Sequence, residues 1–466
     1  MKRAIFIFED HTAARFRPLA WGTPVYELGW GMFNLRERVE TAADAAAADT
    51  EVVLLPRRML APLQMESLPD GMSCGVEAAL EVLGRVEEAL FVSARIRGMD
   101  ADLARLIADS DRGSCSDDQG LLVARLDSGA AGDLLQQWDG WDALADDGDG
   151  WIEAGEIPPT WIPGGTGPEL ASPPPAAWNA LWDRIPYIGE ALVEDINLVA
   201  GRELAGRIVF GAVPAADARS PWCASSELRQ ISGLDPLYAM GASLGNPERI
   251  WIGEDVVFGP GVVVDAQGGP VIIESGVTLR PGAVVEGPVW LGAGSLVKSG
   301  ARLGPQLAVG PGCKLGGEIV ESQIGALSNK QHDGFLGHAL LGSWVNLGAG
   351  TNNSDLKNNY SEIRVDVGRG PEPTGQRFLG LLMADHSKSA IGSNFNTGTA
   401  VGFSSNVFAV GFPPKFMPSF SWGDGAGDAY DPQRALATAA VVMERRGCRL
   451  TSAHRILFLR LAGGSS

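Results

Sequence analysis

Ile252-Gly253-Glu254-Asp255-Val256 opens a stretch that counts in sixes. Phe258 with Val262 follows, and after a slip of three residues come Ile273 with Val277, Leu279 with Ala283, Val285 with Val289, Leu291 with Ser295, Val297 with Ala301, Leu303 with Leu307, Val309 with Cys313 and Leu315 with Ile319. Each hexad begins on an apolar residue, and most carry a small or β-branched residue at the fifth place. A period of six cannot sit on a 3.6-residue helix and is too long for simple strand alternation. It suits a triangular parallel β-coil in which one hexad makes a short flat face and turns one corner, so that three hexads close a coil of about 18 residues. Stacked coils lie about 4.8 Å apart, and the first-place side chains then form ladders inside the prism. Glycine after the apolar residue in Leu291-Gly292, Leu303-Gly304, Val309-Gly310 and Leu315-Gly316 marks sharp backbone bends. A β-sandwich would not hold a fixed period.

The chain has 466 residues, a formal charge of −19 and a pI near 4.7. That length predicts two to three domains. The acidic balance argues against nucleic acid or an anionic membrane as partner, because both are negative themselves. No apolar run approaches the ~18 residues of a membrane span, and Ala4 to Phe8 is too short for a signal sequence. A cytoplasmic enzyme is expected. Five cysteines stand far apart without a CxxC pair, which points to neither a disulfide framework nor a cysteine zinc site.

Residues 1–211 alternate strand-like runs (Ala4 to Phe8, Glu51 to Leu55, Ala89 to Ile96, Gly120 to Leu126) with helix-like ones (Arg36 to Ala48, Val76 to Val86). That predicts an α/β domain with a mostly parallel sheet. Asp139 to Pro175, rich in proline, glycine and acids, reads as a surface excursion, and 178–205 as helical. Residues 212–249 read as a linker, 250–423 as the β-coil domain and 424–466 as a helical tail. Two amphipathic helices in that tail, Pro432 to Arg446 and Ser452 to Leu461, would cap an open coil end or pack on a neighbouring subunit.

The hexad rhythm breaks after Ile319, and the break holds three of the five histidines, His332, His338 and His386. Groups that bind or react are commonly carried on loops of a rigid scaffold. Here Asn329-Lys330-Gln331-His332-Asp333-Gly334-Phe335-Leu336-Gly337 and Asn346-Leu347-Gly348-Ala349-Gly350-Thr351 resemble the acetyltransferase half of the bifunctional N-acetylglucosamine-1-phosphate uridyltransferase/glucosamine-1-phosphate acetyltransferase family. Asn352 to Glu362, Gly380 to Lys388, Asn396-Thr397-Gly398-Thr399 and Gly411-Phe412-Pro413-Pro414-Lys415 resemble a branch of sugar nucleotidyltransferases of that type. Phe8-Glu9-Asp10, Pro18-Leu19, Pro24-Val25, Glu27-Leu28 and Arg36-Glu37-Arg38 resemble the same branch.

The resemblance implies an α/β nucleotidyltransferase-like domain followed by a left-handed parallel β-helix, and a route of the UDP-N-acetylglucosamine type. It implies that His332 is the general base taking a proton from a sugar amine as the nitrogen attacks the thioester of acetyl-CoA. Histidine, whose ordinary pKa is about 6.5, is suited to that step. Asn346 matches a sugar-contacting asparagine; Asn353, Asn358, Asn359, Lys357 and Phe335 are the other expected substrate contacts. Lys388, Ala384 and Thr397 are the expected coenzyme contacts, although Lys357 and Lys388 read equally well as surface lysines. Two residues depart from the pattern. The family's tyrosine three places after the histidine is Phe335 here, and its pair of lysines eleven or twelve places before is Val320 and Glu321. The partners implied are a sugar phosphate and a nucleotide. A homotrimer is expected, because three prisms around a threefold axis would bury flat sides and form clefts.

A sugar nucleotidyltransferase ordinarily follows its first strand with a glycine-rich loop and a lysine, which hold the phosphates that Mg2+ bridges. Glu9-Asp10-His11-Thr12-Ala13-Ala14-Arg15-Phe16-Arg17-Pro18 has neither. Arg15 and Arg17, with Arg36 and Arg38, are the candidate phosphate clamps and Asp10 a candidate metal ligand, with structural roles equally open to each. Ala145 to Glu156 fits a calcium loop except at its first place, and a bland acidic loop fits as well. Two other functions stand beside acyl transfer. One is a zinc enzyme like the γ-type carbonic anhydrases, for which His332, His338 and His386 supply the count. The other is a non-catalytic nucleotide-sugar-binding scaffold.

Overall fold

The computed structural model describes residues 2–46, 50–68, 72–98, 100–109, 111–145, 175–200, 213–214, 241–425 and 429–463. Contacts divide the chain into two compact units. One comprises 1–29, 33–181 and 436–466; the other comprises 30–32 and 182–435. The division at Leu181/Trp182 differs from the expected boundary at 211/212. The calcium-loop candidate beyond Ala145, the excursion from 146 to 174 and most of the expected linker lie outside the described residues.

The first unit is built on β1 (Arg3–Phe8), α1 (Leu35–Ala45), β2 (Thr50–Leu55), α2 (Ala61–Ser67), β3 (Ser73–Cys74), α3 (Val76–Leu83), β4 (Glu88–Ser93), α4 (Asp100–Ala108), β5 (Gly113–Asp117), β6 (Gly120–Asp127) and α5 (Ser128–Ala145). The sheet order is β3-β2-β1-β4-β6-β5. β1, β2 and β4 run parallel, while β6 is antiparallel to β4. A strand covered on both faces reads as a continuous apolar run, and Ala4-Ile5-Phe6-Ile7-Phe8 is at most 2% exposed. Phe6 stacks on Phe91 at 4.9 Å between ring centroids.

Helix α1 starts with a capping box. The Asn34 side chain accepts from the Glu37 backbone N–H at 2.9 Å, and the Glu37 carboxylate accepts from Asn34 N–H at 3.0 Å. Asn34→Ala should therefore lower the unit's unfolding free energy by about 1 kcal/mol, measurable as a reduced urea midpoint. An unchanged midpoint would show that the cap contributes nothing.

Three columns of parallel strands make the second unit. Along the first, Ile273, Leu291, Val309, Ile324, Leu341, Met383, Val401 and Met417 stand in register and are 0–2% exposed. The second runs from Val257–Phe258 through Thr278–Leu279, Leu296–Val297 and Lys314–Leu315 to Asn329–Lys330. Ser243–Gly245 begins the third, ahead of the expected start at residue 250, and that column continues to Phe335–Gly337. Every first-place residue of the hexads is buried, and so is Ser295, whose hydroxyl donates to Gly310 O at 3.3 Å. The architecture is a parallel β-helix.

The break after Ile319 is a change of coil length rather than an end of the coil. The first column steps from Val309 to Ile324, then Leu341, then Met383, so coils of 15 and 17 residues precede one of 42. That long coil carries an antiparallel pair, Arg364–Val365 with Glu372–Pro373. The helix α6 (Ile188–Ala200) packs on the first-column strands Val289–Leu291 and Leu307–Val309, which is why 182–200 falls with the coil. The tail differs from expectation. In α8 (Ser452–Leu461), which follows α7 (Pro432–Glu444), Leu457 and Phe458 are buried, and the helix packs against α2 of the first unit. Among the described residues no helix is long and apolar enough to cross a membrane.

Candidate functional site

At the corner between the second and third columns the coil interior changes character. The inward ladder reads Phe258, Leu279, Val297, Leu315 and then Lys330, which is 2% exposed. A buried amine needs partners. Lys330 Nζ donates to Gly316 O at 3.1 Å and to the carbonyl oxygen of His332. Burial, opposed by the charge of Asp333, brings the Lys330 amine down to about 8. The peptide carrying His332 is thus pinned from inside the coil. The His332 side chain is exposed, and no hydrogen bond to it is found among the described residues.

The other expected substrate residues separate around this corner. Asn346 stands in register between Asn329 and Lys388 on the outer side of the second column, and Asn329 Nδ2 donates to Asn346 Oδ1 at 3.2 Å. Phe335 opens the next strand and is half-buried, its N–H donating to Asn352 Oδ1 at 2.9 Å. Asn353 is 4% exposed and clamps backbone: its Oδ1 accepts from Gly337 N–H and its Nδ2 donates to Gly337 O, both at 2.9 Å. Lys357, Asn358 and Asn359 lie in the long coil. Lys357 Nζ donates to the Glu362 carbonyl, and Asn359 Oδ1 accepts from Ser361 N–H at 3.1 Å. Among the expected coenzyme contacts, Ala384 and Thr397 have buried side chains. Lys388 Nζ donates to His386 O at 2.7 Å, and burial lowers its pKa to about 8. His332 and Phe335 therefore flank this corner and Asn346 pairs with Asn329 on the strand leading into it, whereas the other residues serve the backbone or lie elsewhere.

The corner between the third and first columns holds a linked chain of polar and titratable side chains. Gln306, Glu321 and His338 occupy it on successive coils, all left-handed with φ of 55°, 47° and 48°. Such φ values are uncommon outside glycine. Gln306 Nε2 donates to Glu321 Oε1 at 3.4 Å, Glu321 Oε2 pairs with His338 Nε2, and His338 Nδ1 meets Asp355 Oδ2 at 2.8 Å. Burial works against a charged ring there, but hydrogen bonds to Asp355 and Glu321 outweigh it and raise the His338 pKa to about 9. Phe378 stacks on the imidazole at 5.0 Å. Asp355 begins the excursion of the long coil and Phe378 ends it, so His338 fastens both ends.

The third histidine of the hexad break, His386, is 5% exposed and stacked against Trp344 at 5.9 Å. Among the described residues no three histidine, cysteine or carboxylate side chains are grouped to hold a metal ion.

In the first unit the loop after β1 is consumed by its own structure. Asp10 caps the short helical turn His11–Phe16, its Oδ1 accepting from Thr12 N–H at 2.8 Å and from the Thr12 hydroxyl, and it is 4% exposed. Glu9 accepts from Val25 N–H at 2.7 Å and from Arg57 Nε at 3.2 Å. Arg17 is 3% exposed with its guanidinium 3.9 Å from the Trp21 ring centre. Arg15 Nη1 donates to Gln119 Oε1 at 2.6 Å, and Arg36 is tied to Glu27 and Glu40. Across the sheet, burial would raise Asp117, but Arg95, bound to both its oxygens at 2.8 and 3.0 Å, holds it below the usual carboxylate range. One buried capping carboxylate, with Arg15 held by Gln119 and Arg36 by Glu27 and Glu40, does not fit a Mg2+–triphosphate cradle, and no step is derived through that ion.

Residues 5–203 match the family described as sugar nucleotidyl transferase. The sugar nucleotidyl transferase match covers the α/β sheet and its helices, and the activity class it carries is transfer on sugar nucleotides. It does not single out the bifunctional uridyltransferase/acetyltransferase, and it stops short of the coil. No curated protein matches the chain.

Sequence reading missed Lys330, although a lysine at the first place of a hexad was a visible anomaly. It also missed the Glu321–His338–Asp355 chain and the trio Gln376-Arg377-Phe378. No sequence signal joined these, since 17 residues separate His338 from Asp355 and another 21 lead on to Gln376.

Proposed function

We propose that the chain is a two-part sugar-phosphate transferase whose coil acetylates an amino-sugar phosphate, or a nucleotide sugar, from acetyl-CoA. The observation that carries this reading is the exposed His332 on a peptide pinned by Lys330, with Asn346 and Phe335 on adjoining strands. In the reaction the sugar amine attacks the thioester carbonyl, a C–N bond forms and the C–S bond breaks. His332 takes the proton from the attacking nitrogen, and the departing sulfur leaves as coenzyme A thiol after accepting a proton. A general base works best when its orientation is held by a third group. No such group touches the His332 side chain among the described residues, and a second copy in a homotrimer supplies it in this reading. Phe335 offers the acceptor an apolar surface where the family pattern has a hydroxyl.

Purified protein incubated with acetyl-CoA and glucosamine 1-phosphate, or a UDP-amino sugar, should release free thiol in step with N-acetylated sugar. Thiol release no faster than in protein-free controls across these acceptors would end the reading.

A second reading concerns the first unit and is favoured by Asp10, spent on capping, and by Arg15 and Arg36, held by Gln119 and Glu27. There the domain holds the nucleotide or sugar phosphate without transferring it. Calorimetric binding of UTP or a UDP-sugar, with no pyrophosphate formed from UTP and a sugar 1-phosphate, is the expected result; pyrophosphate release would restore nucleotidyl transfer.

A further inference from the structure

A cavity of about 320 Å³ opens beside the His338 corner, walled by Ile185, Pro186, Gln306, Glu321, His338 and the run Gln376-Arg377-Phe378. That volume lies at the small end of the roughly 300–1,000 Å³ found for ligand pockets. It suits a single sugar ring with a small substituent and is tight for a dinucleotide or a coenzyme.

The wall chemistry narrows the ligand further. Phe378 is 46% exposed, with one side covered by the His338 ring, so a flat apolar surface remains open. The C–H face of a pyranose complements such a ring, whose face is its electron-rich side. Acceptors stand near it. Gln376 Nε2 is spent on Trp182 O at 2.8 Å, which fixes the amide, while its buried Oε1 meets no hydrogen-bond donor among the described residues. A buried acceptor left unpaired is costly, and a ligand hydroxyl would satisfy it. Glu321, held by His338, adds carboxylate oxygens. Opposite in character is Arg377, exposed and without an ion pair among the described residues. Its fork of donors matches one phosphate.

A metal ion fits poorly, because both His338 nitrogens already face carboxylates. His338 lies one coil corner beyond His332, at the other end of the strand Phe335–Gly337, so the two positions are distinct.

We infer that this cavity is a binding site for a hexose phosphate, with the pyranose on Phe378, its hydroxyls on Gln376 and Glu321, and its phosphate on Arg377. Occupancy would also tie the end of the long excursion to the coil, through the same residues that meet the sugar. The site does not depend on acyl transfer at His332.

The test is calorimetry on the full-length protein with glucose 1-phosphate, with glucose, inorganic phosphate and uridine monophosphate as separate arms. Phe378→Ala and Arg377→Ala change exposed side chains and should leave folding intact. Each should weaken one glucose 1-phosphate binding event at least 10-fold, while His332→Ala leaves that event unchanged. Glucose alone should bind weakly in a Phe378-dependent way, and phosphate alone weakly in an Arg377-dependent way. A glucose 1-phosphate isotherm identical in wild type and both variants would overturn the site, as would no binding at all. Phe378-dependent binding of uridine monophosphate alone would overturn the ligand class.

Discussion

Thiol release from acetyl-CoA in the presence of an amino-sugar phosphate is expected to fall roughly 100- to 10,000-fold when His332 is replaced by alanine, the range that general acid–base groups contribute. The loss should appear in kcat, since an imidazole that accepts a proton from the attacking amine works in the transition state more than in substrate binding. Stability should not change: the His332 side chain is exposed and makes no hydrogen bond among the described residues. Lys330→Met gives a useful contrast. It keeps the inward apolar ladder but removes the amine that holds the Gly316 and His332 carbonyls, so it should lower kcat less than His332→Ala does. An alanine variant at His332 that retains wild-type turnover would remove the imidazole from the chemistry.

Raising pH from 6 to 10 should destabilise the second unit through His338. The folded-state pKa is about 9 against an ordinary 6.5. The sign follows from linkage: the contribution is complete below about 6.5, where both states hold the proton, and is lost as pH rises through about 9. A difference of that size corresponds to about 3 kcal/mol, and the ring is mostly covered, with 16% of its side chain exposed. Urea midpoints measured across this window should drop in the wild type and stay flatter in His338→Gln, which starts lower because Glu321 and Asp355 then face each other without a cation between them. Parallel pH profiles for the two proteins would mean that the imidazolium does not hold this corner.

Much of the fold was legible because a coil repeats its demands every six residues. Ile252, Leu279, Val297 and Leu315 each face the same interior, so composition at those places carries the architecture directly. The α/β half was legible from its apolar runs, with β1 at Ala4 to Phe8 the plainest. The candidate site was less so. His332 stood out from its motif, but the roles of Asn353 and Asp10 depend on which backbone groups happen to need a partner, and that is decided by stacking. Asn353 satisfies Gly337 on the neighbouring coil, and Asp10 satisfies the turn it begins. The Glu321–His338–Asp355 chain was hidden for a related reason. Corner residues on successive coils meet in space at intervals of 15 to 17 residues that vary with coil length, and a left-handed corner accepts a non-glycine residue without announcing it in the sequence.

The 42-residue coil leaves and rejoins the ladder in register, with Leu341 opposite Met383 just as Ile324 is opposite Leu341. Its excursion is therefore spliced into the prism without shifting the ladder: new side chains for a different acceptor can be written into its exposed positions 358–362, while buried Ile363 and Val365 and the closing contact of Phe378 with His338 keep it seated.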